Sequence, residues 1–207
     1  MESSDLNILY LFHKVLFPNC SIQIQSYNNK SSNIKVGDRI LAFPVRNIID
    51  IIFYKNRIAT IAKVSEVKNI DENYTNIQLK GISRVRLKKV HKLKSGYYER
   101  IEKGRGNSKS LRILIEDIRK KSQELIFLIN INESDKLIYL LNFLTDISQL
   151  TDFISNYFVL KFPNRFDIYN ELDSYKRALK LIPLLTDLIN NLKDKEKSIE
   201  YEKKPSQ

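Results

Sequence analysis

Cysteine, methionine, histidine and tryptophan are almost missing from this 207-residue chain: one Cys, one Met, two His and no Trp. A lone Cys20 excludes an internal disulfide and a cysteine-built zinc site. His13 and His91 have no HExxH spacing, so no metal site is expected. Glycine is scarce as well, at five residues. None opens a G-x-x-x-x-G-K-[ST] loop, and Gly104-Arg105-Gly106 lacks the lysine, so phosphate cradling by a P-loop is excluded. Ser95 beside Lys94 makes no nucleophile–base dyad, because adjacent side chains in a turn rarely converge. Asp71-Glu72 and Glu116-Asp117 read as solvated charge. No catalytic residue and no cofactor is expected. No apolar run approaches the roughly 18 residues of a membrane span. Met1-Glu2-Ser3-Ser4-Asp5 is unlike the basic start of a secretory signal. These absences predict a cytoplasmic, soluble protein with no membrane partner.

Acidic residues are sparse in one half. Residues 1–100 carry 17 Lys/Arg against 8 Asp/Glu, a net +9, whereas residues 101–207 carry 18 against 16, a net +2. Hydrophobic residues make up 43% of the chain, enough for a real core. Three short motifs stand out in order: Val15-Leu16-Phe17-Pro18, Ile58-Ala59-Thr60-Ile61-Ala62 and Gly81-Ile82-Ser83-Arg84.

The hydrophobic period divides the chain. From Leu6 to about Ile101 it is short and strand-like. Ile22 and Ile24 alternate with glutamines, Ile58–Val64 is β-branched, Ile77 and Leu79 flank Gln78, and Val85 and Leu87 alternate with basic residues. Breaks fall at 27–32, Gly37-Asp38, 69–73 and Ser95-Gly96. Residues 64–79 read as a hairpin, and six or so strands predict a small barrel or pseudo-barrel. Pro18 and Pro44 read as strand-edge punctuation. Gly81 marks a turn or bulge that a larger residue could not adopt cheaply. Residues 103–108 read as a flexible joint, after which the period is helical. One helix carries Leu111 to Ile129, and a second, capped by Ser134, carries Leu137 to Leu144. A third, opened by Ser148, carries Leu150 to Tyr157. A fourth begins near Asp173 with Leu179, Ile182, Leu185, Ile189 and Leu192 inward. Pro183 predicts a kink or break within it. The class is α+β: a β-rich pseudo-barrel subdomain over 5–103, a helical bundle over 108–195, and a charged, disordered tail over 196–207.

Two stretches are candidate surfaces. Lys80, Arg84, Arg86, Lys88, Lys89, Lys92 and Lys94 occur without an acid between them. On a strand, Arg84, Arg86 and Lys88 share a face at about 6.5–7 Å spacing, matching a track of phosphates, and Tyr97 and Tyr98 could stack on bases. The other reading is an exposed face kept polar against edge pairing. The second stretch, Ile48–Tyr54, is nearly all apolar. It is either a buried strand or, on a loop, an exposed patch of the kind that marks a binding surface.

The motifs and their order resemble the N-terminal domain of Lon, the ATP-dependent protease, over roughly Leu6 to Lys193. The family's apolar-Phe-Pro-Gly turn is matched by Val15–Asn19, with Asn19 in place of glycine. Its Gly-Asp before an apolar strand is matched by Gly37–Phe43. Its Gly-Thr-(Val/Ile)-Ala strand is matched by Ala59–Val64, and its Glu-Gly-x-x-Arg strand by Lys80–Arg84. Leu150-Thr151-Asp152-Phe153-Ile154 resembles a Leu-Ala-Asp-Phe-Ile helix, and Asp173 with Arg177 resembles the start of the closing helix. The resemblance implies a PUA-like pseudo-barrel followed by a helical bundle. It implies recognition of unfolded or client proteins in association with a protease or chaperone, and weak self-association. The ATPase and peptidase motifs of Lon do not occur in the sequence. The expected protein contacts are Phe17, Phe43, Ile51, Ile52, Phe53 and Tyr54. The alternative is RNA binding through Arg84, Arg86, Lys88 and Lys89.

Overall fold

The computed structural model describes residues 5–27, 34–53, 57–101, 108–129 and 134–202. The chain forms two compact units, one of 1–103 with 160–172 and one of 104–159 with 173–207.

The first unit is a closed sheet of six strands: β1 (Asp5–Phe12), β2 (Ser21–Tyr27), β3 (Arg39–Val45), β4 (Ile58–Asn69), β5 (Tyr74–His91) and β6 (Ser95–Arg100). Its order is β2-β5-β4-β3-β1-β6, with β6 returning to β5. Closure depends on the length of β5. Its first half pairs with β2 (Ile24 opposite Ile77) and its second half with β6 (Leu87 opposite Tyr98). β1 runs parallel to β3 and antiparallel to β6. The glycine at 81 does not end the strand. It sits at a register shift where Ile61 pairs with Ser83 and Ala62 with Gly81, so one extra residue bends a continuous β5.

Both faces of β3 are covered. Ile40 and Ala42 join Leu11, Leu16, Val64 and Leu79 in one apolar cluster. Leu41, Phe43 and Val45 join Ala59, Ile61, Val85 and Leu87 in another. Pro44 lies beyond the last β3–β4 pair, where its missing N–H costs that ladder nothing. The β5–β6 hairpin turns at Lys92-Leu93, both at positive φ, with Lys94 N donating to His91 O at 2.8 Å. Ser95 and Gly96, expected in the turn, belong to β6.

Helix Phe162–Asn170 also belongs to the first unit, not to a helical subdomain beginning at 108. The three sequence motifs meet beneath it. Thr60 Oγ1 donates to Leu16 O at 2.7 Å, so the Tyr169 hydroxyl, 2.8 Å away, supplies the hydrogen of the second bond. Arg84 Nε donates to Tyr169 O at 3.1 Å, and its guanidinium lies 5.0 Å from the Tyr169 ring centre and 5.7 Å from that of Phe17. Gly81 is pressed against the Phe17–Cys20 turn: its N donates to Cys20 O at 2.8 Å and its O accepts from Asn19 N at 3.0 Å. The motifs therefore build the seat of this helix. Its start carries Pro163, where a missing N–H is harmless.

The second unit contains helices Ser108–Ile129, Ser134–Phe143, Ile147–Phe158 and Ser174–Glu202. The helix at 147–158 is capped by Asp146, whose side chain accepts from Gln149 N at 2.9 Å, rather than opened by Ser148. Ser148 instead accepts from Arg177 Nη2. Arg177 also donates to Thr151 Oγ1 at 3.1 Å and pairs with Asp152 at 3.4 Å, both partners buried. The last helix runs unbroken through Pro183 to Glu202, so it crosses the boundary expected at 195. Pro183 lies on its exposed side, away from buried Ala178, Leu181, Leu185 and Ile189, where water can satisfy the carbonyl left without a donor. Leu179, expected inward, is exposed. The joint expected at 103–108 falls mostly, and the end of the tail at 203–207 wholly, outside the described residues.

Candidate functional site

Residues 48–53 form a six-residue helix, here α1 (Ile48–Phe53), between β3 and β4. It is neither a buried strand nor a plain loop. Its N-terminus explains why. Asn47 Oδ1 accepts from Asp50 N at 3.0 Å, an N-cap bond to the third helical residue. The Asp50 carboxylate reaches back, accepting from Arg46 N at 2.8 Å and from the Arg46 guanidinium on both oxygens at 2.9 Å. At the other end Arg57 Nη2 donates to Ile52 O at 3.1 Å, satisfying a terminal carbonyl. Arg46 lies 5.5 Å from the Phe166 ring centre, which ties α1 to the helix at 162–170. The Arg46 hydrogen bonds hold the Asp50 carboxyl below its ordinary value.

Asp50, at the centre of this lock, is buried, whereas Arg46 and the apolar residues lie at the surface. Ile48, Ile49, Ile52 and Phe53 are 70, 63, 54 and 73% exposed. Ile51 alone turns back, packing on the cluster around Phe43. Six residues thus carry four exposed large apolar side chains, and five hydrogen bonds hold the turn that presents them.

The expected contact set divides accordingly. Ile52 and Phe53 lie on the surface, and Ile51 is half-buried behind them. Tyr54 lies outside the described residues. Phe17 and Phe43, 0 and 2% exposed, are core residues and cannot meet a partner. Phe17 packs edge-on against Tyr169, and Phe43 against Tyr10. Sequence reasoning missed Asp50 and Arg46, although Asn47-x-x-Asp50 has the spacing of a helix start.

The basic strand is not a continuous track. Arg84 is committed to Tyr169 and Phe17, as described. Lys88 pairs with Glu99 at 2.6 Å, and this contact lowers the Glu99 carboxyl from its ordinary value. A register shift between Leu87 and Lys89 interrupts the alternation that a phosphate track requires. Arg86 and Lys89 are exposed. Among the described residues no group of three His, Cys, Asp or Glu is placed to hold a metal ion. Among them, too, no helix is long and apolar enough to cross a membrane.

Comparison with known proteins bears on this arrangement. The family model of the ATP-dependent protease La (LON) substrate-binding domain matches residues 5–187. The N-terminal domain of Mycobacterium avium complex Lon protease superposes with a TM-score of 0.67 at 17% identity, over 89% of this chain and 99% of that one. A Lon N-terminal domain protein from Xanthomonas campestris gives 0.53 at 12% identity, over 87% and 98%. At such identities the structural likeness speaks to fold alone. No curated protein matches the sequence.

Proposed function

The chain belongs to the family of Lon substrate-binding domains, and we propose that it is a non-catalytic recognition module that holds exposed apolar segments of client proteins against α1. The observation that carries this reading is the outward set Ile48, Ile49, Ile52 and Phe53 on a helix locked by Asp50. An apolar surface that has to stay in water usually serves a partner. Burying three or four such side chains is worth about 1.5–3 kcal/mol each. Rotational, translational and ordering losses leave binding no tighter than roughly micromolar. Weak, reversible capture suits a module that hands a client on to a protease. RNA recognition through β5 is the weaker reading, because Arg84 and Lys88 already have protein partners.

The test is titration of a permanently unfolded protein, reduced and alkylated, into wild type and Phe53→Asp. Placing a charge on the most exposed apolar side chain of the helix is expected to weaken binding at least about tenfold, the equivalent of about 1.4 kcal/mol. Unchanged affinity would remove α1 as the contact surface.

A further inference from the structure

Among the described strands, the end of β4 and the whole of β2 each pair on one side only, and they differ. The end of β4 beyond Val64 pairs with β5 alone, but it is guarded. A register shift falls between Val64 and Glu66, and Glu66 and Lys68 form an ion pair at 2.6 Å. Bulges and charges of this kind discourage a further strand. The other edge is β2, Ser21-Ile22-Gln23-Ile24-Gln25-Ser26-Tyr27, which pairs only with β5. It has no charge, proline or register shift, in a chain that is 29% charged.

The direction of its backbone groups can be fixed. In an antiparallel pair each residue turns both its N–H and its C=O either toward the partner or away. Gly81 bonds back to Asn19 and Cys20, on the β2 side, so Leu79 and Ile77 also face β2 and bond Ile22 and Ile24. Gln78 faces the opposite way: its O accepts from Ser65 Oγ on β4 at 3.1 Å. Its partner Gln23 therefore faces away from β5. The Lys14 ammonium, 3.5 Å from Gln23 O, lies on that open side, and an added strand has to displace this one exposed contact. Ser21, Gln23 and Gln25, all exposed, thus present outward N–H and C=O groups at about 6.8 Å repeat.

We propose that β2 takes up an extended, uncharged, alternating apolar segment of an unfolded client as an added strand, alongside the capture of side chains by α1. Such a strand places every second side chain on the face that carries Ile22, which is only partly buried against the core, and its backbone meets the outward groups of Gln23 and Gln25. The proposal deepens the recognition reading above and rests on it.

The probe is the neutral heptapeptide Ac-Thr-Val-Gln-Val-Thr-Val-Gln-NH2, compared with versions N-methylated at alternate residues of either edge. Methylating the bonding edge is expected to weaken binding about tenfold or more, the loss of two or more backbone bonds, while methylating the other edge changes little. Gln25→Pro, which removes an outward N–H and leaves the β5 ladder intact, is expected to do the same. Phe53→Asp is expected to leave the methylation difference in place. Equal binding of all peptides, or no peptide binding, overturns the proposal. If peptide binding is insensitive to methylation but lost in Phe53→Asp, the edge is refuted while α1 capture stands. If Gln25→Pro converts a dimer to a monomer in sedimentation and no peptide binds, the occupant is a second copy and the proposal fails. The methylation comparison needs no variant, so it decides even if the proline substitution prevents folding.

Discussion

Gly81 shows what a single position can be made to do. A Cβ built there would lie 2.3 Å from the Phe17 carbonyl oxygen and 3.1 Å from its carbon, both backbone atoms of a hydrogen-bonded turn. Its requirement is space, not an unusual φ. Gly81→Ala must push the Phe17–Cys20 turn off β5, and overpacking of this kind costs about 1–3 kcal/mol. A urea midpoint lowered in proportion is the expected result, and an unchanged midpoint would contradict the close approach. Asn19 in the same turn has φ +60, the left-handed region, so the place of the family's glycine is taken by a residue that tolerates that geometry. At this scale the motifs were legible as motifs, but their role was not. Thr60 and Arg84 acquire meaning from Tyr169, about a hundred positions away, and no local period points to it. The same remoteness concealed that Phe17 and Phe43 are core residues, since an aromatic next to a turn reads alike in either place.

Among the elements, α1 was the hardest to read. Six of the seven residues from Ile48 to Tyr54 are apolar, and an almost uninterrupted apolar run carries neither period two nor period 3.6. The capping residues decide the matter, and Asp50 is the centre of that cap. Its folded-state pKa is lower than the ordinary 3.8, chiefly through the hydrogen bonds from the Arg46 side chain. A depressed carboxyl contributes stability that is fully present above the unfolded-state pKa of about 3.9 and is lost as pH falls through the folded value. The difference in urea midpoint between wild type and Asp50→Asn is therefore expected to be constant from pH 7 to 5 and to shrink below pH 4. A difference independent of pH down to 3 would show that the ionised lock contributes nothing. The long strands and helices were more legible, because β2 and the two halves of β5 alternate and β4 opens on a β-branched apolar run. The helix at 162–170 escaped notice because it is nine residues long and its few apolar side chains, mostly aromatic, follow no clear helical period. Of the kink or break that Pro183 predicted, the break does not occur: a proline on the solvent side of a well-packed helix need not end it.

On the scale of the molecule, the α+β class and the order of barrel before helices could be read from the change of period alone. The return of residues 160–172 to the first unit could not, because chain order says nothing about which unit a short helix joins. The net +9 of the first hundred residues does not by itself mark a site. Arg84 and Lys88 are engaged by Tyr169, Phe17 and Glu99, which leaves Arg86 and Lys89 exposed but without a continuous basic track. Recognition of protein through apolar contact and recognition of RNA through phosphate contact respond oppositely to salt. The first is insensitive or strengthened, and the second falls steeply as counterions compete. The measurement that bears most directly on the account is binding of the purified protein to an unfolded model protein and to a short RNA, each at low and at high salt. The account predicts binding to the unfolded protein that persists at high salt, with RNA binding absent or weak. RNA binding that collapses with salt, with no binding to unfolded protein, would contradict it.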